Sequence, residues 1–174
     1  MKIFTRHDFL SMRHMRNILS AVAGLLLLTF TGVAAADGVS RPFSATLEGN
    51  ANPVPTADPC ILVNTETAAS RALHLGEGTW GSEEVVNFCS NPAGADVDGK
   101  FVITAANGEQ IFGVYRTLAH LDFGTNTITA LGRYEITGGT GRFEGAKGEG
   151  DISASGSLLP PFEVTGGLFG RISY

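Results

Sequence analysis

Thr127-Ile128-Thr129-Ala130-Leu131-Gly132-Arg133-Tyr134-Glu135-Ile136-Thr137 sets Ile128, Ala130, Gly132, Tyr134 and Ile136 against mostly polar neighbours, in strict alternation. Successive side chains of a strand point to opposite faces, so the stretch reads as a β-strand with one dry face. It runs straight into Gly138-Gly139-Thr140-Gly141-Arg142-Phe143-Glu144-Gly145-Ala146-Lys147-Gly148. This segment has no G-x-x-x-x-G-K-[ST] pattern and no helical period after it, so it is not a phosphate loop. Its flanks are strand-like, and it is expected to be a glycine-dependent turn between two strands. Gly138, Gly139 and Gly141 are expected to supply backbone with φ > 0, where a Cβ is unwelcome.

The same period of two recurs in both directions along the chain. Ile152, Ala154, Gly156 and Leu158 alternate with Asp151, Ser153, Ser155 and Ser157, and Phe162 to Tyr174 carries Phe162, Val164, Leu168 and Ile172 on one face. Upstream, Phe101-Val102-Ile103-Thr104 leads into Asn107-Gly108, a strong hairpin turn, and Ile111 to Thr117 returns from it. Thr79 to Phe88, Arg71 to Leu75, Ile61 to Ala69 and Phe43 to Glu48 are further strand candidates. The Pro clusters Asn52-Pro53-Val54-Pro55, Asp58-Pro59 and Pro160-Pro161 are placed between strands, and Ala93 to Gly99 reads as a polar loop. About eight neighbouring antiparallel strands make an all-β barrel or sandwich. Phe43, Leu47, Ile103, Ile128, Tyr134, Ile152 and Leu168 are the expected inward residues.

Twenty-one of the 138 residues after position 36 are glycine, about twice the usual ~7%. They alternate with Val, Ile, Phe and Thr rather than forming a linker. Glycine inside strands marks bends and close backbone approach, which a small closed barrel needs in number.

The N-terminus carries Lys2, Arg6, Arg13 and Arg16 against Asp8, then an apolar run from Ile18 to Val33, then Ala34-Ala35-Ala36. Basic, apolar and A-x-A regions in that order read as a secretory signal spanning 1–36, cut after Ala36. Counted from Met12 rather than Met1, the signal falls within the usual ~15–30 residues, and either methionine can be the start. The apolar run is short for a membrane span. The expected organisation is therefore a signal over 1–36 and a single β-barrel domain over 37–174, secreted or periplasmic, with no membrane association after cleavage. Export favours pairing of the only two cysteines, Cys60 and Cys89. On the chain-entropy model such a bridge stabilises by about 3–4 kcal/mol. A C-x-x-C pair or a nearby His, which a metal or redox site would use, is missing around both.

The mature region holds eight basic and sixteen acidic residues, a net charge of −8. An acidic surface repels phosphate backbones, so nucleic acid is not an expected partner. No sequence feature calls for a cofactor, and no metal site is assigned.

Ile136 to Gly148 resembles the I-T-G-G-T-G-R-F-x-G-A-x-G signature of the allene oxide cyclase barrel-like proteins, whose barrel plant dirigent proteins share. Ala72-Leu73-His74-Leu75-Gly76 resembles the A-T-H-L-G segment of exported bacterial members, and Ala105-Ala106-Asn107-Gly108-Glu109-Gln110 resembles their A-A-N-G-D-Q hairpin. The three segments come in the family's order. The resemblance implies an eight-stranded antiparallel closed barrel, calycin-like, with a central cavity. It also implies possible homo-oligomers, trimers among the plant relatives, and a cavity that holds an apolar reactant and steers its cyclisation or coupling. It transfers no catalytic residues.

Candidate lumen groups are His74, Tyr115, Arg116, Tyr134 and Glu135. His74 lies in an apolar strand segment and reads as a structural histidine or as a lumen donor to a ligand oxygen. Arg116 shares a face with Phe112 and Val114, and Glu135 with Leu131; each is either a surface residue beside a subunit contact or a lumen group, the surface reading being the better one. Tyr115 and Tyr134 alternate with them and are expected inside. No G-x-S-x-G elbow and no free thiol paired with His supports nucleophilic hydrolysis. Two functional readings follow. One is an exported barrel that binds a small apolar molecule or acts as a structural or interaction module. The other is a cyclase- or dirigent-like isomerase.

Overall fold

The computed structural model describes residues 38–174; the signal assigned to 1–36 lies outside the described residues. Eight strands follow one another: β1 (Arg41–Pro55), β2 (Ile61–Ala72), β3 (Gly76–Asn91), β4 (Gly94–Ala105), β5 (Gln110–Asp122), β6 (Thr127–Gly139), β7 (Lys147–Ser157) and β8 (Glu163–Ser173). Each pairs antiparallel with the next, and β8 pairs with β1, so the sheet closes into a barrel. Closure leaves no edge strand, which an open sandwich would have.

The seven expected inward residues all face the interior. Phe43, Ile103, Tyr134, Ile152 and Leu168 are buried, while Leu47 and Ile128 pack partly buried against that core. The cysteines form a disulfide, with Cα atoms 5.4 Å apart.

Several local readings change. Leu73-His74-Leu75 is not a strand but the β2–β3 turn, and His74 has φ 76°. The polar Ala93–Gly99 segment is mostly strand: β4 starts at Gly94, with Ala95 and Val97 buried. Its aspartates occupy the outward positions of an ordinary alternation. Pro53 and Pro55 lie inside β1 rather than between strands. They are tolerated because β8 pairs with β1 only as far as Asn50, whereas β2 continues to Pro55. One side of this overhang is a free edge, where a missing N–H breaks no ladder.

The two ends of the barrel differ. The loops at 56–60, 92–93, 123–126 and 158–162 surround one mouth. The turns at 73–75, 106–109 and 140–146, together with both ends of the domain, surround the other. That second end is sealed by the glycine-rich segment. A single 3₁₀ turn, Gly141–Phe143, drives Phe143 into the interior, where it is fully buried. Its ring meets Tyr174 at 4.7 Å, edge to face. Arg142 latches the neighbouring turns: its guanidinium donates to the His74 carbonyl at 2.6 Å and pairs with Glu109 at 3.1 Å.

Only Gly141 of the three expected glycines takes positive φ, at 62°. Gly138 and Gly139 are needed for space instead. A Cβ on Gly139 would come within 2.5 Å of the Gln110 carbonyl and 2.6 Å of the Phe143 Cβ. Gly139→Ala and Gly141→Ala are each expected to lower stability by more than about 1 kcal/mol, beyond the unfolded-state gain from losing glycine. Urea unfolding measures this; unchanged midpoints for both would refute the structural role.

Candidate functional site

The half of the barrel facing the 56–60 mouth is hollow, with a cavity of about 310 Å³. Strand alternation builds its wall. Leu62, Val86, Leu121, Ile128, Leu158 and Phe162 line it along with small residues such as Ala119 and Ala130. The inner end rests on Trp80, which stacks on Phe101 with centroids 4.9 Å apart.

One sector of this wall is polar. Asn64 and Glu66 face inward from β2, and Ser82 and Glu84 from β3. The register sets Asn64 directly across from Glu84, and Glu66 across from Ser82. Asn64 Nδ2 donates to Glu84 Oε1 at 2.6 Å, and the Tyr115 hydroxyl donates to Glu84 Oε2 at 2.5 Å. Tyr115 reaches Glu84 over Gly99, the β4 residue between them in the register; a Cβ on Gly99 would collide with the Tyr115 ring. Glu66 Oε2 accepts from Ser82 Oγ at 3.2 Å and, more weakly, from Trp80 Nε1 at 3.4 Å.

Burial pushes the Glu66 carboxyl up to about 7, the nearby Glu84 adds to the rise, and the bonds from Ser82 and Trp80 oppose it. Burial also pushes the Tyr115 phenol up, reinforced by both glutamates, so Tyr115 stays a donor. Asn64 is only 7% exposed, and its Oδ1 has no hydrogen-bond partner. The amide orientation is fixed by Glu84, since a flipped amide would point oxygen at carboxylate. This sector is therefore rich in acceptors. Among the described residues no Lys, Arg or His lines the cavity.

Of the residues singled out from the sequence, Tyr115 lines the cavity. Tyr134 is buried beneath it, edge to face with Phe101, and its hydroxyl, unpartnered, is pushed up to about 12, chiefly by burial. Arg116 and Glu135 are exposed on the outer wall. Arg116 pairs there with Asp98 at 2.6 Å, as does Arg133 with Asp151 at 2.7 Å. His74 sits at the sealed end, with Nε2 2.9 Å from the Pro42 carbonyl oxygen, far along the strands from the open mouth. Sequence reasoning missed Asn64, Glu66, Trp80, Ser82 and Glu84. The available signal was parity: Trp80, Val86 and Phe88 share an even-numbered face of β3, and Glu84 lies on it.

The fold and site define a closed eight-stranded antiparallel barrel, sealed at one end and hollow at the other, with an acidic sector in an apolar lumen. No protein-family model, curated protein or solved structure matches the chain.

Proposed function

We propose that this protein is an exported barrel that binds a small, mostly apolar molecule in its lumen through the mouth at 56–60. The observation that carries the reading is the cavity: about 310 Å³, walled by aliphatic and aromatic side chains, with a few convergent polar groups at its inner end. That volume lies at the lower end of the ~300–1,000 Å³ usual for ligand sites, and the mix of surfaces matches them. Export is supported by the disulfide together with the order of basic, apolar and A-x-A regions before residue 37. The likeness to the allene oxide cyclase barrel-like proteins belongs to the same proposal, supported by the strand number and by the structural part that residues 138–148 take in sealing one end. Association into homo-oligomers draws support from Val114, Leu131 and Phe169, apolar residues exposed on the outer wall.

Trp80 is the only tryptophan and lines the cavity, so its fluorescence reports on the lumen. Titration with 1-octanol is expected to give a saturable change. Ala130→Phe, which fills the lumen from β6, is expected to weaken it at least tenfold. Saturable binding that Ala130→Phe leaves intact would place the ligand elsewhere and overturn the reading, as would the absence of any saturable response.

A second reading, a cyclase- or dirigent-like isomerase, rests on Glu66. A carboxyl held near 7 inside an apolar cavity can give or take a proton at neutral pH.

A further inference from the structure

The hydrogen-bonding groups of the lumen do not balance. Most polar donors at its inner end are already used, the Thr117 hydroxyl and the second N–H of Asn64 being the exceptions. Asn64 Nδ2 and the Tyr115 hydroxyl serve Glu84, while Ser82 Oγ and Trp80 Nε1 serve Glu66. What remains is mainly accepting capacity. Asn64 Oδ1 is buried with no partner, and Glu66 Oε1 receives none of the protein's hydrogen bonds. A buried acceptor without a donor costs about 1–3 kcal/mol, so a group that supplies one is favoured there. Of the three glutamates on the cavity wall, Glu66 and Glu84 face this inner end while Glu163 stands at the start of β8 by the mouth, and among the described residues no cationic side chain lines it. Buried like charges without a counter-ion also repel each other.

We propose that the occupant is a small amphiphile with a protonated amine, whose nitrogen is held by Glu66, Glu84 and Asn64 and whose apolar body fills the lumen toward the mouth. This rests on the lumenal-binding reading above and names the chemical class of its ligand. An ammonium group carries up to three donors and one positive charge, matching the surplus acceptors and the missing counter-ion together. Leu62, Leu121, Ile128, Leu158 and Phe162 receive the apolar body. The net charge of −8 in the mature region draws cations toward the domain and repels anions. A carboxylate headgroup would meet two carboxyl groups and no cationic donor, with the Thr117 hydroxyl as its only free side-chain O–H at that depth. An alcohol would satisfy Asn64 but leave the charge uncompensated.

The test is Trp80 fluorescence titration at pH 8 with three probes of equal chain length: octylammonium, 1-octanol and octanoate. Octylammonium is expected to bind at least tenfold more tightly than 1-octanol, and octanoate more weakly than either. In Glu66→Gln the preference for octylammonium over 1-octanol is expected to fall to about twofold. In the wild type, octylammonium affinity is expected to drop as pH falls from 8 to 5.5. Glu66 then takes up a proton in surroundings set by Glu84, Ser82 and Trp80 of β3, Asn64 of β2 and Tyr115 of β5. Three probes bound within twofold of one another, or octanoate bound best, would overturn the amine assignment while leaving lumenal binding intact. A pH-independent octylammonium affinity would overturn it as well. No saturable response to any of the three would remove the lumenal reading itself.

Discussion

Phe143→Ala is expected to destabilise the domain by about 3–5 kcal/mol, the range for truncating a fully buried aromatic ring. The ring is the plug of the sealed end. It has no exposed surface, meets Tyr174 edge to face, and carries the Arg142 guanidinium 4.8 Å above its face. Its Cβ also lies where a side chain on Gly139 would go, so the backbone cannot move inward without cost. The turn that holds it is pinned through Arg142 to the His74 carbonyl and to Glu109, so the site cannot easily collapse to fill the void. Partial collapse is what separates mild from severe core truncations. For a domain of this size the melting temperature is expected to fall by about 10–20 °C. Thermal unfolding followed by circular dichroism measures it. A loss below about 1 kcal/mol would mean that Phe143 is not the plug.

That plug explains how the glycine-rich segment could be placed from the sequence while its details could not. The alternation of Ile128, Ala130, Gly132, Tyr134 and Ile136 defines β6, because one face is uniformly dry or small. A turn had to follow, and it does. Whether a glycine serves by its φ or by its missing Cβ depends on what packs against it, and only tertiary structure supplies Phe112 beside Gly138 and the Gln110 carbonyl beside Gly139. His74 was misplaced because Leu73-His74-Leu75 is apolar enough for a strand, whereas Leu73 is exposed in the β2–β3 turn. The polar sector of the lumen was illegible for a different reason. In β2 both faces carry polar residues, Thr65 and Thr67 outward and Asn64, Glu66 and Ser70 inward. The period-two rule assumes that inward means apolar, and it fails where a cavity is lined for chemistry rather than for packing. Arg116 and Glu135 drew notice as charges beside apolar residues, yet a closed barrel puts such neighbours on its outer wall, where Arg116 finds Asp98.

Glu66→Gln is expected to stabilise the unliganded protein at pH 8 by about 3 kcal/mol, and by much less in acid. The sign follows from proton linkage. The Glu66 carboxyl titrates near 4.5 when unfolded and at about 7 in the folded barrel, where burial and Glu84 disfavour its charge. Below 4.5 both states hold the proton, and the residue imposes no penalty. Between 4.5 and 7 the unfolded chain releases its proton first, so stability falls as pH rises. Above about 7 the loss is complete, at roughly 1.4 kcal/mol for each unit separating the two values. Gln cannot ionise and still accepts from Ser82 and Trp80, so its stability should lack this decline. The gain over wild type should shrink to about 1 kcal/mol or less at pH 5, and near pH 4 the two should differ by their packing alone. Denaturant unfolding of both proteins from pH 4 to 8 measures it, and curves that stay parallel across the range would show that Glu66 is not held in its acid form by the lumen. The comparison also separates two reasons for keeping a glutamate there. A residue present for stability would not be expected to lower it at neutral pH. A residue present to receive a positively charged group would carry that cost when the lumen is empty and recover it when the group arrives, as binding sites commonly do. Adding octylammonium at pH 8 should therefore raise the wild-type melting temperature by more than that of Glu66→Gln, which keeps only the weaker apolar part of the binding.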